Sequence, residues 1–327
     1  LQMAEQESFE YAEVDDLGTI THKDYTDYHI QHVLDLKLVN REAIAKANLK
    51  VVVDAVNSVG GTVIPALLRA LGVKEVVELN CEPTGRFAHN PEPIPENLTQ
   101  ISEKIKACGA DLGIVVDPDV DRLALVCENG EMFVEEYTLV AVADYVLKHT
   151  PGNTVSNLSS SRALRDVTLA HGQQYNAAAV GEVNVVTKMK ETNTVIGGEG
   201  NGGVIYPESH YGRDALVGVG LFLSHFVAEG KSMTVLKATY PQYFISKNKL
   251  TLSPDMDVDK ILEGLKKKYA SEEITDIDGV KIDFKDGWVH LRKSNTEPII
   301  RIYSESKDEA AANQLAEEVI KVAQSLY

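Results

Sequence analysis

Cysteine is scarce. Cys81, Cys108 and Cys127 are an odd number with no metal-ligand spacing. That excludes a disulfide framework and a zinc-finger pattern, and reads as reduced thiols in a cytoplasmic protein. Long apolar runs are missing too, so no segment reads as a bilayer span. Basic charge is in deficit: 32 Lys and Arg stand against 49 Asp and Glu, a net charge of −17. This argues against a nucleic-acid surface or a membrane partner. It leaves room for a small anionic ligand, because local basic groups can outweigh the total. No internal repeat and no low-complexity tract is found. The first residues, "LQMAEQESFEY", are acidic and polar, unlike a secretory signal, and lack an initiator Met, so a piece of a longer chain is expected. What is present is an ordinary globular mix, 44% hydrophobic and 25% charged over 327 residues, enough for two or three cores.

Strand-like and helix-like stretches alternate. "DYTDYHIQHVLDL" reads as a helix, "LKVVVDAV" as a buried strand, and "NSVGGTVIPALLRALG" as a helix capped by Asn57 or Ser58 and stopped at Gly72. "KEVVELN" is a strand, "ENLTQISEKIKACG" a helix, and "ADLGIVV" and "LALVCENG" are strands. A second round runs from about 147 to 247 and closes on the apolar helix "DALVGVGLFLSHFVAEG". The last eighty or so residues alternate like antiparallel strands around the turn "KDG", between two helices. The expected fold class is two consecutive α/β domains, with mixed sheets and flanking helices, followed by a small α+β domain.

Three loops carry chemistry. In "DPDVDR", Asp117, Asp119 and Asp121 lie between two apolar strands, where open α/β sheets place their sites. Crowded carboxylates suit a hard cation such as Mg2+ or Ca2+. A solvated turn is the plain alternative. A calcium loop of the EF-hand kind fails because its sixth position, which needs Gly, is Arg122. The second loop is "GGEGNGG". Gly198, Gly200 and Gly203 satisfy G-x-G-x-x-G, but strand-like "VIYP" follows where a dinucleotide site needs a helix. The loop instead offers Glu199 and Asn201 to hydroxyls, or is a simple glycine turn. The third is "RKSNTEP", with Arg301 just beyond. Arg292 can grip a phosphate bidentately, while Ser294, Asn295 and Thr296 supply short donors; a polar hairpin turn is the alternative.

Taken together, "VVVDAVNSVGG", "GRFAHNPEPIPENL", "GADLGIVVDPDVDRLALV", "AVGEVNVVTKM", "GGEGNGGVIYP", "YGRDAL" and "RKSNTEPIIRIYSES" resemble the α-D-phosphohexomutase superfamily from about residue 15 onward. The resemblance implies a four-domain enzyme around a central cleft. It implies Mg2+ held by Asp117, Asp119 and Asp121 together with a phosphoserine, and Arg122 as a catalytic group beside the transferring phosphoryl. Glu199 and Asn201 would read sugar hydroxyls. Arg292, Ser294, Asn295, Thr296 and Arg301 would grip the substrate phosphate. A hexose 1,6-bisphosphate would serve as activator. On this resemblance residues 1–28 are the tail of an N-terminal α/β domain with its linker, 29–146 a metal-binding domain, 147–247 a sugar-binding domain and 248–327 a phosphate-binding domain.

The sequence departs from the family in one central respect. The T-x-S-H-N-type loop that carries the family's nucleophilic serine is not found, and "NLSSSRAL" lacks the His and Asn. Val183 stands where relatives often carry Lys or Arg, and Asn201 where many carry Ser. The expected activity is a mutase moving phosphate between O6 and O1 of a hexose, with phosphoglucosamine first and phosphomannose or phosphoglucose as alternatives. The chain by itself is expected to be inactive, or a non-catalytic sugar-phosphate binder.

Overall fold

The structure is a computed structural model that describes residues 2–252, 256–294 and 297–326. A short helix α1 (Gln2–Glu5) opens an exposed segment, and α2 (Thr26–Leu34) and α3 (Arg41–Lys46) lead into the first sheet. The β-branched run Val51–Val53 is fully buried in β1 (Lys50–Asp54), as expected for a parallel strand covered on both faces. Then come α4 (Gly60–Leu71), β2 (Glu75–Leu79), α5 (Thr99–Cys108), β3 (Leu112–Val116) and β4 (Leu123–Cys127). The sheet order is β2-β1-β3-β4, parallel except for β4, which turns back antiparallel after the aspartate loop. Of the two expected caps of α4, Ser58 makes a capping bond: its hydroxyl accepts from the amide of Gly60, the first helical residue, at 3.3 Å, while Val59 stands between them without a side-chain bond. Val56 and Asn57 both turn through positive φ, and the Asn57 amide is used on the Glu82 carbonyl instead.

The second round repeats this plan. Helix α6 (Glu135–His149) crosses over to β5 (Asn153–Asn157), followed by α7 (Ala163–Ala170), β6 (Tyr175–Ala178), α8 (Glu182–Glu191), β7 (Thr194–Glu199), β8 (Gly203–Ile205), α9 (Ala215–Glu229) and α10 (Met233–Ala238). The order is β6-β5-β7-β8, again with an antiparallel last strand. Helix α9 is apolar on nearly every side because it is buried along almost its whole length. The edges of the two sheets meet: Arg122 bridges Gly203, and the Leu123 amide donates to the Gly202 carbonyl at 2.9 Å.

The third sheet is antiparallel, ordered β10-β11-β12-β13-β9. Its strands are β9 (Phe244–Thr251), β10 (Glu273–Thr275), β11 (Val280–Phe284), β12 (Gly287–Lys293) and β13 (Ile299–Ser306), covered by α11 (Val258–Lys268) and α12 (Glu309–Gln324). The fold is therefore two α/β units with mixed sheets and one small α+β unit. No helix of the described residues is long and apolar enough to cross a membrane.

Arg162, at the start of α7, joins the second unit to the third. Its guanidinium donates to the Gly287 carbonyl at 2.8 Å and to Asp283 at 3.1 Å, and its backbone amide donates to Glu305 at 3.1 Å. Glu305 also accepts from the Trp288 indole at 2.7 Å. Every member is buried or nearly so. Removing one partner of such a network leaves the other charge without compensation, at a cost of about 3–5 kcal/mol. Trp288 is the single tryptophan, so its emission reports on this junction. Arg162→Ala should lower the urea midpoint followed by Trp288 fluorescence. An unchanged midpoint would show that the junction is held by packing alone.

Candidate functional site

The aspartate loop is shaped by its own backbone. Val120 sits at φ 63°, a left-handed conformation that a β-branched residue rarely adopts. Such strain costs about 1–3 kcal/mol and persists where the surroundings enforce it. Here the Val120 amide donates to the Asp117 carbonyl at 3.2 Å, and its own carbonyl accepts from the Ala215 amide at 3.1 Å. The buried Asp117 carboxylate accepts from the Asp121 and Arg122 amides at 3.1 and 3.0 Å. As a result Asp117, Asp119 and Asp121 offer carboxylate oxygens within 4.8 Å of one another. Asp121 Oδ1 is buried with no hydrogen-bond partner. Three converging oxygen donors, one of them orphaned, fit a hard divalent cation such as Mg2+. Arg122 lies alongside, its Nε 3.5 Å from Asp117 and 3.6 Å from Asp121 and without a hydrogen bond.

Arg213, a residue the sequence reading did not single out, joins this loop to the glycine loop. One terminal nitrogen pairs with Asp121, the other donates to Glu199 at 2.9 Å, and Nε donates to Glu182 at 3.1 Å. The three carboxylates raise the affinity of the guanidinium for its proton, against the opposing effect of burial. Glu199 is buried and also accepts from the Asn157 amide at 2.8 Å and the Gly181 amide at 3.2 Å. Asn201 turns its side-chain oxygen toward the Gly203 amide at 3.2 Å. The glycines of this loop are spatial requirements. A methyl at Gly203 would come within 2.4 Å of the Arg213 side chain, and one at Gly200 within 1.9 Å of the Glu136 carboxyl. Glu136 is buried behind the loop and holds its proton well above the usual carboxyl range for that reason. Val183 is exposed on α8.

A chain of hydrogen bonds continues into the third sheet. Asn157 accepts from the Ser159 amide, and the Ser159 hydroxyl meets His290 Nδ1 at 2.8 Å. His290 Nε2 lies 2.7 Å from the Asp278 carbonyl, which can only accept, so Nε2 carries the proton and Nδ1 is the acceptor. Burial lowers the His290 pKa to about 4, so the ring is neutral at pH 7.

Arg292 is two residues further along β12. The register sets it directly opposite Arg301 on β13, and Arg301 directly opposite Lys249 on β9. Directly opposed residues share a face, so three cations lie in a row across three strands. Like charges so placed destabilise a sheet unless an anion or a carboxylate compensates. Glu297 takes up part of the charge, accepting from Arg301 at 3.1 Å, while Arg292 Nε is buried without a partner. Ser294 is buried at the end of β12 and accepts from the Glu297 amide at 3.3 Å. Asn295 and Thr296 lie outside the described residues. Lys249 went unnoticed in the sequence because β9 was not recognised there as a strand.

Burial first, and then the charges of Asp121 and Asp119, push the Asp117 carboxyl from 3.8 up to about 7. Between these values folded Asp117 keeps a proton that the unfolded chain has lost. The stability this contributes is complete below the unfolded value and disappears as pH rises through about 7. Asp117→Asn should flatten that decline in urea midpoints of the metal-free protein measured from pH 4 to 8. Equal slopes in the two proteins would remove Asp117 from the titration.

Models of known families match three consecutive stretches. Residues 24–130 match the phosphoglucomutase/phosphomannomutase alpha/beta/alpha domain II, 135–243 match domain III of the same family, and 250–322 match its C-terminal domain. A protein of Thermococcus kodakarensis named phosphoglucomutase/phosphomannomutase is 38% identical over 97% of this chain and 69% of its own length. A phosphoglucosamine/phosphogalactosamine mutase of Sulfurisphaera tokodaii is 34% identical over 88% of this chain and 64% of its own. The crystal structure of a phosphoglucomutase/phosphomannomutase family protein from Burkholderia thailandensis superposes with a TM-score of 0.79 at 28% identity, covering 92% of this chain and 65% of that one. The chain thus spans about two thirds of the length of these relatives. With all three of its folded units matched in order, the chain belongs to the phosphoglucomutase/phosphomannomutase family.

Proposed function

We propose that this chain supplies the metal, sugar and phosphate sites of a hexose-phosphate mutase whose phosphorylated serine lies outside these 327 residues. The observation that carries the reading is the double pairing of Arg213 with Asp121 and Glu199, which makes one site of the aspartate and glycine loops. Asp117, Asp119 and Asp121 would hold Mg2+. Bound there, the ion would offset charge on the oxygens of a phosphoryl group in transfer. Arg122, close to two of these carboxylates and without a hydrogen bond at Nε, would contact the same group. Glu199 and Asn201 would read ring hydroxyls. Arg292, Ser294, Asn295, Thr296 and Arg301 would hold the phosphate already on the sugar, with Lys249 extending the basic row.

The reaction this supports is a double transfer. A phosphoserine gives its phosphoryl group to the free end of a hexose monophosphate, and the resulting 1,6-bisphosphate turns over in the cleft. The other phosphate then returns to the serine. The basic row serves either end of the sugar, because it recognises a phosphate rather than the ring. Glucosamine phosphate is the first choice of substrate, in keeping with several relatives named phosphoglucosamine mutase. Mannose and glucose phosphates come next.

Arg292→Ala should weaken binding of a hexose 6-phosphate, measured by calorimetry, by about 1.5–3 kcal/mol, the range for charge-assisted hydrogen bonds. Equal affinity in the variant would make the loop a structural turn.

In a coupled mutase assay with Mg2+ and a bisphosphate activator, the 327-residue chain should bind the sugar phosphate without isomerising it, since a positioned metal ion or arginine does not stand in for a covalent phosphoryl carrier. Turnover by this chain would relocate the nucleophile, with Ser159 the first residue to replace.

A further inference from the structure

We propose that His29, His210 and Asp214 form a second metal site, for a transition-metal ion of the Zn2+ class, separate from the aspartate loop. The donors come from two distant parts of the chain, helix α2 and the segment leading into α9. The Nε2 atoms of His29 and His210 both converge on Asp214 Oδ2, at 2.7 and 2.8 Å. One ligand atom from each residue lies within 4.8 Å of the other two. Zn2+ binds imidazole nitrogen at about 2.0–2.1 Å and carboxylate oxygen at about 2.0–2.2 Å, so tetrahedral donors sit roughly 3.3 Å apart. The two rings need to open by roughly half an ångström, and both are partly exposed side chains, at 39% and 43%.

The carboxylate is already oriented for this. Asp214 is buried, and its Oδ1 accepts from the Leu216 and Val217 amides at 2.8 and 3.1 Å, which turns Oδ2 toward the rings. Anchoring the far oxygen in this way is how a metal-binding carboxylate is held in place. A cavity of about 460 Å³, lined also by Tyr25, Asp119 and Arg213, lies in front of the three residues and leaves space for a water as fourth ligand. Two imidazoles and one carboxylate suit Zn2+, Co2+ or Ni2+, whereas the all-oxygen set of the aspartate loop suits Mg2+. Without an ion each ring donates its Nε2 proton to Asp214; binding frees Nε2, the proton of a neutral ring moving to Nδ1 and that of a protonated ring passing to solvent. An ion here would clamp α2 onto the start of α9, next to the arginine that joins the aspartate and glycine loops. Its effect on the family reaction would be structural or regulatory.

The test uses the 327-residue chain, stripped by a chelator and returned to excess Mg2+ so that the aspartate loop is saturated. Co2+ is then titrated and its visible absorption followed, with Zn2+ as competitor. One tightly bound Co2+ per chain with intense tetrahedral-type bands, displaced by Zn2+, is the expected result. His29→Gln and His210→Gln should each weaken binding about tenfold or more. His29→Cys, which supplies another good ligand, should restore it, and Asp117→Asn should leave it unchanged. Absence of Co2+ uptake in excess Mg2+ would overturn the proposal, leaving a hydrogen-bonded His-Asp-His cluster. Equal affinity in the glutamine variants, or loss in Asp117→Asn, would overturn it as well.

Discussion

Everything at the candidate site depends on one guanidinium. Asp121, Glu182 and Glu199 come from three separate segments, and each would repel the others at these distances. Arg213 sits among them and makes their assembly favourable before any cation arrives. The missing side chain at Gly203 leaves the room that the Arg213 stem occupies. A chain of strongly negative net charge can therefore build an acidic pocket without losing its fold, because the neutralising group is internal and fixed.

Local positive charge answers the same problem from the other side. Despite the overall deficit of basic residues, Lys249, Arg301 and Arg292 are set in one row by strand register. Each residue alone would be unremarkable on a surface. Opposed across neighbouring strands, they make a focus of positive potential. Two regions of opposite sign thus belong to one molecule, one suited to a cation and one to an anion.

The parts of this arrangement that are local were legible in the sequence. The aspartates alternate within five residues between two apolar strands, so the chain itself advertises a carboxylate loop. The failure of "GGEGNGG" as a dinucleotide fingerprint was readable because "VIYP" follows it, and β8 does begin at Gly203. What was not legible depends on distance. Arg213 stood in the quoted "YGRDAL", but its partners are 92, 31 and 14 residues away. Lys249 acquires meaning only from the register of β9, an edge strand whose exposed lysines break its apolar pattern. Of the two residues offered as caps of α4, Ser58 bonds the Gly60 amide, while Asn57 is one of two consecutive left-handed residues that reroute the chain before the helix begins.

The meeting of β4 with β8 has a mechanical consequence. Each strand is the last of its sheet and would otherwise present a row of unpaired backbone groups. Through Arg122, Leu123, Gly202 and Gly203 the two edges share backbone contacts, so eight strands of two units are joined at the position of the aspartate and glycine loops. The third sheet has no such backbone seam with them among the described strand pairings. It is attached through side chains, chiefly Arg162 to Asp283 and Gly287, Glu305 to the Arg162 amide, and Ser159 to His290. The molecule resembles a vice: a stiff block carries the aspartate and glycine loops, while the jaw that bears the basic row is joined to it by a buried polar junction instead of a shared sheet edge. In such a design the clearance between jaw and block, rather than the shape of either, sets the distance between the basic row and the aspartate loop.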